Sequence, residues 1–189
     1  MNAIAAHLAH ARHRITVQEA WAMETKRVFG DQDFELIDGG LVFMPADGGD
    51  TIRWNAALNV WLVPALLDKP VVVVPDKTLI LSEHDGPKPD FYVHPAAMRV
   101  EDVRGPDVLL LIEVADTTLR EDLGWKAELY AKFGVREYWV VDVQGRQVFA
   151  HRLRPEGGYG APEVFAGDAA ATPLLLPEIA LRLDQLRYI

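Results

Sequence analysis

Glu113 is the residue whose surroundings point most directly to chemistry. It stands in an otherwise apolar run, residues 108–115, which has the composition of a β-strand buried on both faces. A carboxylate in such a place costs several kcal/mol unless it is paired, protonated or bound to a metal ion. Glu113 therefore either belongs to a structural ion pair or takes part in a reaction, and its own surroundings leave both explanations open.

A second carboxylate, Asp90, follows Pro89. The proline favours extended backbone, which places Asp90 at the start of a strand. An isolated aspartate in this position is usually a turn former. If Asp90 and Glu113 lie at neighbouring strand ends, however, they repel each other unless a positive group lies between them. A hard divalent cation such as Mg²⁺ prefers oxygen ligands of this kind.

A lysine and a third carboxylate follow along the chain, with Asp122 and Lys126 one helical turn apart. On an exposed helix face this spacing is a routine ion pair. A helix that follows a buried strand must pack against the sheet, so the Lys126 side chain can reach over the end of the strand of Glu113. There an ammonium group can orient a water molecule and stabilise negative charge on a phosphate.

The elements that position these residues form a strand-helix-strand unit. Apolar strands are predicted at residues 109–114 and 137–141, and a helix at residues 123–133 lies between them, ended by Gly134. This length and pattern predict two parallel strands joined by a crossover helix.

Helices and antiparallel strands are predicted around this unit. Thr16 and Glu19 form a capping box for a helix to about Val28, and Asp50 can cap a helix to about residue 67 that Pro64 should bend or end. A hairpin at residues 33–44 turns at residues 38–40. Further strands are predicted at residues 71–74, 78–81, 89–93 and 146–153, with short extended pieces at 163–165, 172–176 and 181–183. The fold class is therefore mixed α/β, with a partly antiparallel sheet flanked by helices.

Length and composition bound the function. The length of 189 residues is typical of one domain, and we predict a flexible tail over residues 1–15 and a single domain over residues 16–189. The absence of cysteine excludes thiolate metal sites and fits a cytoplasmic protein, and no apolar run is long enough for a membrane span. The net charge of −9 argues against nucleic acid, although residues 120–154 carry more Lys and Arg than Asp and Glu.

Five short motifs, taken in order, resemble the Uma-two (Uma2) family. They are Phe34-Glu35-Leu36-Ile37-Asp38-Gly39, Pro89-Asp90, Ile112-Glu113-Val114, Asp122-x-x-x-Lys126 with Tyr130, and Gly134-Val135-x-Glu137-Tyr138-Trp139-x-x-Asp142. Each motif is weak by itself, and their order and spacing carry the resemblance, which covers about residues 16–185. The Uma2 family is a bacterial group with a restriction-endonuclease-like fold in the PD-(D/E)XK nuclease superfamily.

The resemblance implies a role for each site residue. Asp90 and Glu113, helped by the Val114 carbonyl group, would hold Mg²⁺ or Mn²⁺, which would polarise a scissile phosphate and activate water. The superfamily lysine normally stands where this chain has Ala115, and Lys126 occupies the place to which the Uma2 family moves it. Glu35 matches a recurrent family acid that could position metal or water, although strand alternation by itself predicts that Glu35 faces solvent. Ala115-Asp116 departs from the Ser-Pro that the family often has.

The favoured prediction is a magnesium-dependent endonuclease that cuts DNA as a homodimer in the cytoplasm. The alternative is a nuclease-fold protein without turnover that acts as a binding or structural module, since a fold does not dictate activity. A hydrolase for carbohydrates or esters that uses the two carboxylates is a third possibility, and it would require no lysine.

Overall fold

The computed structural model describes residues 13–46 and 48–187, which fall into two units. Of the described residues, those within Met1–Pro45 and Ile80–Pro87 form the first unit, and those within Ala46–Leu79 and Lys88–Ile189 form the second. The flexible tail predicted over residues 1–15 falls largely on residues 1–12, which lie outside the described residues.

The first unit is built on a helix and a hairpin. Helix α1 (Val17–Thr25) begins with the predicted capping box of Thr16 and Glu19. It ends before Val28, earlier than predicted, because the chain turns at Arg27 with a φ of 50°. Strands β1 (Phe34–Ile37) and β2 (Gly40–Phe43) form the predicted hairpin.

The backbone conformation of the hairpin turn explains why the sequence Asp38-Gly39 forms it. Asp38 and Gly39 both have positive φ, 50° and 75°. The two-residue turn whose twist matches that of a β-hairpin requires positive φ at both of its central residues. The segment Ile80–Pro87 of the same unit joins β1, since the Gly86 N–H donates to the Leu36 carbonyl group at 2.7 Å. The strand predicted at residues 78–81 does not form, so that prediction is wrong.

The second unit is organised by a six-stranded mixed sheet with the order β3-β4-β5-β6-β7-β8. Its strands are β3 (Val71–Pro75), β4 (Phe91–Pro95), β5 (Leu110–Ala115), β6 (Glu137–Asp142), β7 (Gln147–Arg152) and β8 (Glu163–Ala166). The pair β5 and β6 is parallel, and every other neighbouring pair in this sheet is antiparallel. The predicted crossover and the predicted fold class are both confirmed.

Helices flank this sheet. Helix α2 (Gly49–Ala65) begins at the N-cap Gly48, so the prediction that Asp50 caps the helix is wrong; Asp50 lies in the first turn. Pro64 lies in the last turn, where it ends the helix. The crossover connection is a short helix α3 (Leu119–Glu121), one π-helical turn (Asp122–Lys126) and helix α4 (Ala127–Lys132).

The two faces of the central strands have different surroundings. On one face Phe91, Ile112, Val114 and Trp139 belong to an apolar core that also contains Trp54, Leu58 and Leu62 of α2. Side chains alternate along a strand, so Tyr92, Leu111, Glu113 and Tyr138 lie on the opposite face. Among the described residues, no helix is long and apolar enough to cross a membrane.

Candidate active site

The register of β4 and β5 brings the two predicted metal-binding carboxylates together. Phe91 lies opposite Ile112 in this antiparallel pair, so the next pair outward is Asp90 and Glu113. The Asp90 side chain reaches the end of β5, where its Oδ2 accepts a hydrogen bond from the Val114 backbone N–H at 2.7 Å. Asp90 is therefore fixed to the strand that carries Glu113.

The second oxygen of Asp90 is held by helix α2. Asn55 Nδ2 donates to Asp90 Oδ1 at 2.6 Å. Burial raises the pKa of Asp90 well above its usual range, and the negative charge of Glu113 raises it further. The Val114 N–H, the Asn55 amide and the Lys126 ammonium group oppose this rise in pKa, because each favours the charged carboxylate.

Glu113 is almost completely buried, with only 4% of its surface exposed. Its Oε1 accepts a hydrogen bond from the Tyr130 hydroxyl group at 2.8 Å and one from Lys126 Nζ at 3.1 Å. Both donors come from the crossover connection, and both face the side of β5 opposite the apolar core. These contacts explain how the sheet tolerates a carboxylate inside an apolar strand.

Lys126 joins Glu113 to a third carboxylate. It is 6% exposed, and its Nζ lies 3.5 Å from Asp122 Oδ1. The Thr118 hydroxyl group donates to Asp122 Oδ2 at 2.5 Å. Burial and the charge of Glu113 raise the pKa of Asp122 to about 6, against the lowering effects of Lys126 and Thr118. The result is a cluster of one cation and three acids, in which Glu113 and Asp122 are buried and Asp90 is partly buried.

The π-helical turn directs Asp122 and Lys126 towards the sheet. Both residues are buried, although a pair with this spacing on a regular surface helix would face solvent. The backbone departs from helical geometry at Gly124, midway between them. The Tyr138 hydroxyl group donates to the Asp122 carbonyl oxygen at 3.0 Å, which ties the turn to β6.

The structure thus brings Asp90, Glu113 and Lys126 into one cluster, as the sequence predicted. Val114 contributes its amide to this cluster, and the metal-binding role of its carbonyl group stays a prediction. Glu35 lies on β1 in the first unit and is completely buried, so the expectation that it faces solvent is wrong. Its catalytic role stays a prediction.

Sequence reasoning missed two donors in this cluster, Asn55 and Thr118, and it named a third, Tyr130, only as part of a family motif without a role. Asn55 is a polar residue in a largely apolar helix, which is the signal that could have found it. Thr118 stands four residues before Asp122, a spacing that suits a side-chain contact over one helical turn. Tyr130 stands four residues after Lys126 and so follows it on the same helix face, towards Glu113.

Another buried carboxylate, Glu137, has partners that give it a structural role. It accepts hydrogen bonds from Trp139 Nε1 at 3.0 Å and from the Leu174 backbone N–H, and Arg152 Nε lies 3.4 Å from it. These partners tie β6 to β7 and to the C-terminal segment. Glu113 lies beside Asp90 at the end of the neighbouring strand, whereas Glu137 lies opposite Arg152 of β7.

Comparison with known families decides the affiliation of the chain. The model of the family Uma2, described as "Putative restriction endonuclease", matches residues 18–184. The chain belongs to the Uma2 family. A sequence comparison with curated proteins yields no match.

The fold of this Uma2 protein also occurs in a solved structure. The crystal structure of "a putative nuclease belonging to DUF820 from Anabaena variabilis ATCC 29413" aligns with a TM-score of 0.70 and 18% sequence identity. The alignment covers 90% of this chain and 96% of the other. At this identity the similarity establishes a shared fold, which agrees with the restriction-endonuclease-like architecture predicted for the sheet and its flanking helices.

Proposed function

We propose that the protein is a metal-dependent endonuclease that hydrolyses phosphodiester bonds in DNA. One observation carries the proposal: Asp90 and Glu113 lie side by side on adjacent strands, and the Lys126 ammonium group from the crossover donates to Glu113. The family description and the fold support a nuclease, and the cluster supplies residues suited to phosphodiester chemistry. A nuclease acting on DNA in the cell would work in the cytoplasm.

The donor set of this cluster fits a hard divalent cation. Asp90 and Glu113 raise the energy of each other's charged form, and a cation between them would remove that repulsion. Among the described residues, no group of three or more His, Cys, Asp or Glu side chains could hold a metal ion by itself. A site with two carboxylates suits Mg²⁺, which usually keeps several waters and binds one or two protein carboxylates.

Asp90, Glu113 and the Val114 carbonyl group are the residues that would hold the ion. When bound, Mg²⁺ or Mn²⁺ would supply positive charge to the scissile phosphate and lower the pKa of water. The chain itself orients the two carboxylates: Asn55 and the Val114 N–H fix Asp90, and Tyr130 fixes Glu113.

Lys126 supplies positive charge at the same place. Its ammonium group lies between Glu113 and Asp122, in a buried position where electrostatic interactions are stronger than in water. There it would orient the attacking water and stabilise the negative charge that develops on the phosphate. Because Asp122 holds the other side of Lys126, its role would be to position the ammonium group.

The test is a panel of labelled single-stranded, double-stranded and branched DNA and RNA molecules incubated with Mg²⁺ or Mn²⁺. We expect cleavage of DNA by the wild-type chain and none by Asp90→Ala. Glu113→Gln should abolish metal binding in calorimetry, whereas Glu137→Gln, which changes a buried acid outside the cluster, should leave metal binding intact. Absence of cleavage of every substrate with both metals would contradict the proposal.

A second candidate function is that of a nuclease-fold binding or structural module without turnover. The pairing of Glu113 with both Lys126 and Tyr130 favours it, because these bonds satisfy a buried carboxylate without any metal. For this function, Glu113→Gln would leave metal affinity unchanged and lower only the free energy of unfolding.

A further inference from the structure

Asn55 has an unusual position for a residue of a packed helix. It lies between Trp54 and the buried pair Ala57 and Leu58, which pack in the core of the second unit. Its amide nitrogen donates to Asp90 Oδ1 at 2.6 Å. Helix α2 therefore presents one polar group to the carboxylate cluster, from the side opposite to the crossover helix that carries Lys126.

The other end of the Asn55 amide is not satisfied by the protein. Asn55 Oδ1 is shielded from solvent and accepts no hydrogen bond from the described residues. A buried carbonyl-type oxygen without a partner costs free energy, and native proteins seldom keep one without a reason. Because Oδ1 and Nδ2 belong to one planar amide, the unsatisfied oxygen is also close to Asp90.

A divalent cation would satisfy this oxygen and would also reduce the repulsion between Asp90 and Glu113, which a water molecule would not do. Mg²⁺ approaches its oxygen ligands to about 2.1 Å, whereas the oxygen of a water molecule stays about 2.8 Å from an acceptor. Amide oxygens are also hard ligands of the kind that Mg²⁺ and Mn²⁺ accept.

We infer that Asn55 belongs to the cation site, with its amide nitrogen holding Asp90 and its amide oxygen acting as a ligand of the divalent ion. This inference rests on the proposed function, because it uses the cation site of Asp90 and Glu113. Helix α2 would then belong to the site directly. It would supply an oxygen ligand, and the crossover connection would supply the ammonium group of Lys126.

The test compares Asn55→Ala, Asn55→Asp and the matched variants Asn59→Ala and Asn59→Asp. Asn59 lies one turn further along α2 and is exposed. Binding of Mn²⁺ and Mg²⁺ is measured by calorimetry on the full chain, and the melting temperature is measured with and without each ion.

We expect Asn55→Ala to weaken Mn²⁺ affinity about tenfold, as the loss of a group next to a metal typically does. Asn55→Asp should melt at a lower temperature without metal, because it places a carboxylate against Asp90. Metal should then raise its melting temperature by more than it does for the wild-type chain, since the new carboxylate is an oxygen ligand. The Asn59 variants should bind both ions as the wild-type chain does.

Two results would overturn the inference while leaving the proposed function standing. One is wild-type Mn²⁺ affinity in a folded Asn55→Ala protein. The other is an Asn55→Asp protein whose melting temperature metal does not raise more than that of the wild-type chain. If the wild-type chain binds neither ion, the metal site of the proposed function fails, and the inference about Asn55 fails with it.

Discussion

Lys126 is the residue on which the electrostatics of the site depend. It is the cation next to Glu113 and Asp122, and it also stabilises the charged form of Asp90. A buried ion pair adds little net stability, but removing one partner leaves an uncompensated charge in the interior. The same side chain therefore has a structural and a proposed catalytic effect, which experiments must separate.

Lys126→Ala should abolish DNA cleavage while leaving metal binding nearly intact, because the carboxylates remain. It should also lower the free energy of unfolding by about 3 kcal/mol, since Glu113 and Asp122 lose their cation. Lys132→Ala, an exposed lysine on α4, should change the free energy of unfolding by less than about 0.5 kcal/mol. Cleavage at the wild-type rate by Lys126→Ala would reject the role assigned to Lys126.

Asp122 makes stability depend on pH in a defined direction. Its pKa is about 6 in the folded protein against an ordinary 3.8, so the folded state holds this proton more tightly than the unfolded state. Its contribution to stability is complete below about pH 4 and is lost as pH rises through about 6. At neutral pH this loss lowers the free energy of unfolding by roughly 3 kcal/mol, which is the energy equivalent of the shift in pKa.

Asp122→Asn mimics the protonated side chain at every pH. Between pH 4 and pH 7.5, the variant should therefore lose less stability than the wild-type chain, by roughly 3 kcal/mol. Urea unfolding of both proteins at the two pH values measures this difference. Parallel curves for the two proteins would show that Asp122 does not titrate in this range.

At the scale of elements, the site depends on how closely the crossover helix lies against the turn that leads into β5. Gly105 begins this turn, and a Cβ atom added there would lie 2.1 Å from the Phe133 carbonyl oxygen at the end of α4. Only glycine permits that approach. The contact holds α4, and the segment with Lys126 that leads into it, next to the strand of Glu113.

Gly105→Ala should lower the free energy of unfolding by about 2 kcal/mol, because the backbone of Phe133 must move to accept the methyl group. It should also reduce cleavage by displacing α4 from β5. Gly49→Ala is the matched control, since a Cβ atom at Gly49 meets nothing within 4 Å at the start of α2. Equal stability of the two variants, measured by urea unfolding, would show that the close approach is unimportant.

At the scale of the whole molecule, charge limits how the protein can meet DNA. The net charge is −9, and several of the basic residues in the segment 120–154 are engaged in ion pairs, either buried (Lys126) or exposed (Arg154). Lys126 pairs with Glu113 and Asp122, Arg152 with Glu137 and Glu163, and Arg154 with Glu156. The cations of this segment without an ion pair among the described residues are Arg120, Lys132, Arg136 and Arg146. DNA binding is therefore expected to require the divalent ion as well as these side chains.

Assembly is the second property at this scale. An enzyme that cuts both strands of a duplex commonly presents two sites related by a two-fold axis. We therefore predict a homodimer in solution. Sedimentation velocity should show a species of twice the mass of the chain, and a monomer at high concentration would contradict this prediction.

The sequence by itself determined the residues and their local elements. The capping box at Thr16, the hairpin turn at Asp38 and Gly39 and the crossover between β5 and β6 all follow from local patterns, because caps, turns and hydrophobic periods depend on neighbours in the chain. The order of the short motifs indicated the family, and Glu113 stood out because a carboxylate interrupts an apolar strand.

Only the tertiary structure decided which groups touch the carboxylates. The contact of Asn55 with Asp90 joins residues far apart in sequence, and it depends on how α2 packs on the sheet. The π-helical turn and the bond from Tyr138 that supports it likewise depend on packing between elements. Local sequence patterns do not predict such contacts. Strand register and the packing of helices on the sheet determine which residues distant in sequence come into contact.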